Sequence, residues 1–422
     1  MFDKDFWQEV LQTIQRQKWR SLMTAFGVFW GLLMLMFLIG AGIGFQEGVV
    51  GQLKQMPANT VGYISGATTM PYNGFDRGRS WNIDAKDVDA INAAYPGSVS
   101  QPVYIKYLPE EGTSLLVTSE NATDELVVAG VSPDLALISP QRVTSGRYIN
   151  EFDCKEVRKV CVIGVNVAQT LFPEEVSPVG KELTIEGTTY RVIGVTKKTN
   201  DMVNLGPNES NAVLLPITTA QYVFNAVGKA DRLFLVLSDK YPSGDYYKPI
   251  ESLLRKRHQL HPADDAALIS VDLKDSLNQF DIMIVGLNAL VWLVGLGTLL
   301  AGLIGISNIM MVTVKERTQE IGVRRALGAE PWTIIKQIMC ESLVLTLAAG
   351  IVGIVVGVWG LYTVNRMTAA SMSEGGFFTN PHVPFIPAIA ALVILVIGGL
   401  LAGFVPAKRA MAIKAIEALR EE

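Results

Sequence analysis

Four uncharged apolar runs limit what this chain can be. Residues 21–46, 282–314, 342–365 and 385–405 contain no Asp, Glu, Lys or Arg. A helix needs about 20 apolar residues to cross a hydrocarbon core of about 30 Å, so each run is long enough for one span. The second run covers 33 residues. At about 1.5 Å per residue it makes a helix of roughly 50 Å, so its excess tilts or projects from the membrane as a stalk. Composition agrees: 49% hydrophobic residues and a mean hydropathy of +0.30 are too apolar for a soluble protein of this length.

The charges orient the spans. Arg16, Lys18 and Arg20 precede the first run, Lys315 to Lys336 separates the second from the third, and Lys408, Arg409, Lys414 and Arg420 close the chain. The loop between the third and fourth runs holds one cation, Arg366. Basic segments stay on the cytoplasmic side, which places both termini there. Residues 47–281 carry 22 Lys+Arg against 29 Asp+Glu and fall outside. The net charge of −4 therefore hides an acidic outer block and basic membrane flanks, a pattern that does not suggest nucleic-acid binding. Before the first span, Phe2, Phe6, Trp7, Val10, Leu11 and Ile14 share one helical face, which suits an interfacial helix. The first run is too long for a signal-peptide core and reads as an anchor.

The outer block mixes short strands with helices. Residues 83–95 and 249–259 read as helices, the first with Asp84 near its start. Residues 115–118, 126–131, 159–163 and 233–237 read as strands, and 183–185 and 190–195 as a hairpin around Glu186-Gly187. Its two cysteines, Cys154 and Cys161, leave two readings open: a disulfide, permitted outside the cytoplasm, or two reduced, buried thiols. His258 and His261 lack further ligands and read as a solvated pair, so no metal site is expected. The motif G-x-x-x-x-G-K-[ST] does not occur in these residues, because Gly180-Lys181 and Gly228-Lys229 are followed by Glu and Ala. No catalytic set can be assigned.

Residues 315–329, KERTQEIGVRRALGA, are the densest charged stretch between two spans. Such charges must sit in water or against protein. Gly328 suits the position after a helix and Pro331 the first turn of the next, so the stretch reads as a short helix. Ile321, Val323, Ala326 and Leu327 give it an apolar side, which suits docking better than a plain topology signal. Glu341, one turn further on, is an acid near the membrane, with Lys336 or Arg325 as candidate partners. Gly350, Gly353, Gly357 and Gly360 line the third span and let another helix approach.

This motif resembles the coupling segment of MacB/FtsX-type ABC transporter permeases. The resemblance continues through Lys336-Gln337 and Glu341-Ser342-Leu343. It resumes at Pro406-Ala407-Lys408-Arg409-Ala410 and Ala418-Leu419-Arg420, with Ala415 where a proline is usual. It implies an α-helical membrane protein with four transmembrane helices and a large α+β extracytoplasmic domain between helices 1 and 2. The expected layout is an interfacial segment at 1–20, spans at 21–46, 281–314, 338–365 and 385–406, and a periplasmic core domain at 47–280. That domain carries an inserted distal subdomain near 116–220. The coupling segment is 315–337, the outer loop 366–384 and the tail 407–422.

The resemblance also implies residues and partners. Lys315, Glu316, Arg317, Glu320, Ile321, Gly322, Arg324, Arg325 and Gly328 would meet a separate ATPase, which binds ATP and Mg while this chain binds no cofactor. A second permease copy or paralogue completes a dimer in the bacterial inner membrane, and a periplasmic membrane-fusion protein or outer-membrane partner is a further expectation. Export of a periplasmic substrate is the activity implied. A lipoprotein-releasing permease of the LolC/LolE branch, an FtsX-like signal transmitter and a purely structural anchor are the alternatives.

Overall fold

The computed structural model describes residues 18–53, 56–120, 122–139, 141–173, 177–198, 205–371 and 380–411. The expected interfacial helix over 2–19 and the end of the tail lie almost wholly outside them. The chain divides into a helical unit, within 1–48, 283–371 and 378–422, and a sheet unit, within 49–282 and 372–377.

Helix α1 (Lys18–Leu53) opens the described chain. In the sheet unit, β1 (Thr60–Ser65) lies between β12 (Arg232–Leu237) and β13 (Leu268–Asp272), antiparallel to both. β12 pairs on its other edge with β3 (Val99–Leu108), and β3 pairs with β5 (Thr123–Val131). The short β2 (Ile83–Asp84) and β11 (Lys229–Ala230) form a separate ribbon. Beyond β5 the sheet closes on itself. β4 (Leu115–Thr118), β8 (Glu182–Ile185), β9 (Thr188–Lys198), β7 (Val160–Gly164) and β10 (Ala212–Pro216) follow in that spatial order, and β10 returns to β5 in parallel. β6 (Gln141–Gly146) adds to β9 outside this ring. Small helices complete the unit: α3 (Leu135–Ile138), α4 (Glu151–Lys155), α5 (Val165–Leu171) and α6 (Ile217–Val223).

Local chemistry explains several elements. α2 (Ala85–Ala94) starts at a capping box, in which Asp84 accepts from the Asp87 N–H and Asp87 from the Asp84 N–H. The β8–β9 hairpin turns on Glu186 and Gly187, with φ of 46° and 76°, a conformation glycine adopts without strain. α7 (Ser243–Arg257) begins six residues before the helix expected from Pro249. That proline is tolerated because the carbonyl it leaves free, Asp245, is in the exposed first turn.

One sequence expectation is corrected, and of the two readings left open for the cysteines the thiol one matches the structure. His258 is not solvated: its Nε2 lies 2.9 Å from both oxygens of the fully buried Asp87 and its ring packs on Trp81. His261 packs edge-on against Tyr72 instead of joining it. Cys154 and Cys161 are free thiols that serve different cores. Cys161 points from β7 into the interior of the ring with Val117, Val192 and Tyr190, while Cys154 packs from α4 beneath the other sheet face with Leu135 and Ile149. Burial pushes both thiols up.

After β13 come α8 (Leu273–Glu316), α9 (Thr318–Ala326), α10 (Pro331–Ser371) and α11 (Phe385–Met411). Among the described residues four helices are long and apolar enough to cross a membrane: α1, α8, α10 and α11. All four outrun their uncharged stretches; α8 starts nine residues before 282 and α10 eleven before 342, and α11 runs on to Met411. Leu32, Leu35 and Met36 of α1, Leu303 and Ile306 of α8, and Ala391 and Leu395 of α11 form one core in the helical unit. Glycines bring its backbones together. Cβ atoms at Gly353, Gly357 and Gly360 of α10 would meet Phe29, Met36 and Phe37 of α1, and one at Gly350 would meet Leu395. Gly27 and Gly302, which the sequence reading did not single out, put α1 and α8 in backbone contact.

Candidate functional site: the charged turn between two membrane helices

α8 and α9 are separated by one non-helical residue, Arg317, with φ −96° and ψ 13°. The turn at the other end is a Schellman motif. The Ala329 N–H donates to the Arg324 carbonyl and the Gly328 N–H to the Arg325 carbonyl, with Gly328 at φ +95°. Pro331 then opens α10, where its missing N–H costs nothing. The segment is thus an ordered helix between two sharp turns, as its glycine and proline foretold.

Its charges form a chain along one side. Arg317 Nε donates to Glu320 at 3.1 Å, and Arg324 Nη2 donates to Glu320 at 2.7 Å. Arg324 Nη1 reaches Gln337 on α10 at 3.2 Å. Arg317 also turns inward, donating from Nη1 to Glu341 at 3.2 Å. Glu341 is 3% exposed and is held by Arg317, a partner the sequence did not suggest. Lys336 instead lies over the Trp332 ring, one helical turn back. The sequence missed Arg317 as the partner because the two residues are 24 apart and belong to different helices.

The apolar positions divide in two. Ile321 and Gly322 are buried, and Ile321 joins the core with Ile334, Ile335 and Ile338. Ile321 therefore does not belong to the outward side with Val323, Ala326 and Leu327. On the outside, Leu327 is 83% exposed, Trp332 56% and Val323 45%. Lys315 and Glu316 are exposed at the end of α8, and Arg325 is half-buried. The result is a rigid helix whose inner face is packed and whose outer tip presents uncovered apolar side chains among charges. That arrangement offers no nucleophile or metal set; among the described residues no cluster of His, Cys, Asp and Glu could hold a metal ion.

Residues 21–243 match the family described as the MacB-like periplasmic core domain, and residues 292–415 match the FtsX-like permease C-terminal family. The macrolide export ATP-binding/permease protein MacB of Nitrosomonas europaea is 27% identical over 99% of this chain and 60% of its own length. The pyoverdine export ATP-binding/permease protein PvdT of Pseudomonas entomophila is 28% identical over 98% of this chain and 60% of its own. The chain therefore spans about three-fifths of these relatives. The solved periplasmic region of MacB from Actinobacillus actinomycetemcomitans aligns with 54% of this chain and 95% of its own, at 16% identity and a TM-score of 0.42.

Proposed function

The chain belongs to the ABC-type permeases that join a MacB-like periplasmic core domain to an FtsX-like permease C-terminal region, and on that premise we propose that it couples ATP hydrolysis to movement of its outer unit. It is a multi-pass membrane protein with four membrane-spanning helices. The ATPase is a separate chain that holds ATP and Mg, docks on residues 315–332, and works with two permease copies or a permease and its paralogue. The setting is the bacterial inner membrane, with the sheet unit in the periplasm. The activity is export, which the names of both relatives state for those proteins. A membrane-fusion protein is the further partner in this reading.

One observation carries the docking claim. Leu327, Trp332 and Val323 stand uncovered on an ordered turn whose own charges keep it out of hydrocarbon. A mere topology signal needs cations alone; it needs neither a Schellman-capped helix nor an exposed Leu and Trp at its tip.

The test is purification of the chain from its native membrane and identification of the P-loop ATPase that comes with it. Reversal of Arg324 and Arg325 to Glu then weakens that association and the stimulation of hydrolysis by exported substrate, while insertion persists. A correctly inserted reversal variant that holds its ATPase and keeps stimulation refutes the reading.

A further inference from the structure

The docking helix is tied to both neighbours. To α8 it is joined through Arg317, whose N–H donates to the Thr313 carbonyl at 3.1 Å, through the Thr318 hydroxyl, which donates back to the Lys315 carbonyl at 2.7 Å, and through the core that Ile321 shares with Val314. A one-residue joint of this kind is where a helix swings. To α10 it is tied at three separated points: Ile321 shares a core with Ile334 and Ile338, Arg324 donates to Gln337, and Arg317 donates to Glu341. The last contact differs in kind from the others. Glu341 is a carboxylate at 3% exposure, and removing one partner of a buried charged pair is strongly unfavourable. Arg317 therefore cannot leave Glu341 as freely as an exposed pair opens. The next residue, Ser342, donates from Oγ to the Gly399 carbonyl of α11 at 2.9 Å, and its Cβ lies where Gly403 leaves room.

We propose that Arg317 and Glu341 form an internal latch that makes α9 and α10 one mechanical body, so that a push on α9 passes into α10 and, through Ser342 and Gly399, into α11. α8 then follows at the Arg317 joint and is not the sole conductor. The proposal rests on the reading of residues 315–332 as the docking site. It assigns Arg317 and Glu341 as positioning residues: they orient the docking helix and need not touch the partner. Glu320 holds the outer edge of the same guanidinium, at 41% exposure, so its arm is the weaker one.

The experiment uses the full chain in lipid nanodiscs, first alone and then with the P-loop ATPase that copurifies with wild type. Amide hydrogen exchange is followed over residues 318–329 and over 336–346. For the chain alone, Glu341→Gln and Arg317→Ala each speed exchange across 318–329, and the exchanged-charge pair Arg317→Glu with Glu341→Arg slows it back toward wild type. In the complex, ATP changes exchange over 336–346 in wild type. Glu341→Gln, which lies outside residues 315–332, loses that change while retaining the bound ATPase and its hydrolysis. A Glu341→Gln chain that exchanges as slowly as wild type, or that keeps the ATP-linked change over 336–346, overturns the latch. If wild type retains no ATPase, the docking reading falls, and exchange in the isolated chain still decides whether the latch exists.

Discussion

Replacing Val323 and Leu327 together by Ser is the sharpest probe of the docking surface. Full burial of a Val or Leu side chain is worth about 1.5–3 kcal/mol relative to exposure. Leu327 has 83% of its surface to bury and Val323 only 45%. Scaling by those fractions gives roughly 2 kcal/mol for Leu327 and about 1 for Val323, so the double variant forfeits about 3 kcal/mol of binding. At about 1.4 kcal/mol per decade that is a fall of roughly 100-fold in affinity for the ATPase. The permease itself loses little, since exposed substitutions stay within about 0.5 kcal/mol. Charge reversal at Arg324 alone gives a useful contrast. Its pair with Glu320 is an i,i+4 pair with both side chains more than a third exposed, worth about 0.3–0.5 kcal/mol to the helix. Titration of purified ATPase onto permease nanodiscs reads both. If the double Ser variant binds within twofold of wild type, the exposed tip contributes no docking energy and the assignment of this surface is wrong.

Three further outcomes are expected. Gly164→Ala places a Cβ 2.1 Å from the Ser210 carbonyl oxygen, a backbone contact that cannot yield cheaply, so the variant unfolds at lower temperature in a calorimetric scan. An unshifted transition would show that the loop at 209–210 gives way. Cys154 and Cys161 alkylate fully after denaturation without reductant, and native Cys161 stays unmodified because it is fully buried with its thiol pushed up; recovery of a linked peptide contradicts this. Asp264 titrates low: burial raises it, but bonds from the Thr69 hydroxyl and from the Met70, Thr69 and Ala267 N–H groups outweigh that and hold it at about 2. A depressed carboxyl contributes stability above its unfolded pKa of about 3.9 and loses it as pH falls through the folded value. Asp264→Asn is therefore less stable than wild type near neutrality, with the gap closing between about pH 4 and about pH 2 in acid-unfolding curves. A constant gap down to pH 2 argues against the low titration.

What the sequence revealed was local. Uncharged length identified four helices; Asp84 marked a cap, Glu186-Gly187 a hairpin, and Gly328 with Pro331 both ends of a turn. Each signal is complete within a few residues, so no knowledge of the fold is needed. What stayed hidden depends on distant partners. Asp87 is 171 residues from His258, and Arg317 is 24 from Glu341, so side chains that looked solvated or unassigned find their roles only once the chain folds. β1 and β13 went unread for the same reason: their pairing partners lie across the whole sheet unit. The inward turn of Ile321 was a matter of phase, since nine residues give a helix too few turns to show which apolar side meets the core.

The position of β1 has a consequence for synthesis. Val61 pairs with Leu235 and Asp272, so the earliest strand of the sheet is flanked only by the latest ones. Ribosomes add about 5–20 residues per second, so the roughly 200 residues between Val61 and Asp272 take about 10–40 s to appear. During that interval Val61 and Tyr63, which end fully buried, have no neighbour to cover them, and both edges of the strand are open to foreign strands. A holdase resident on the far side of the membrane would therefore find its target at the beginning of this unit and release it only when the last strand arrives.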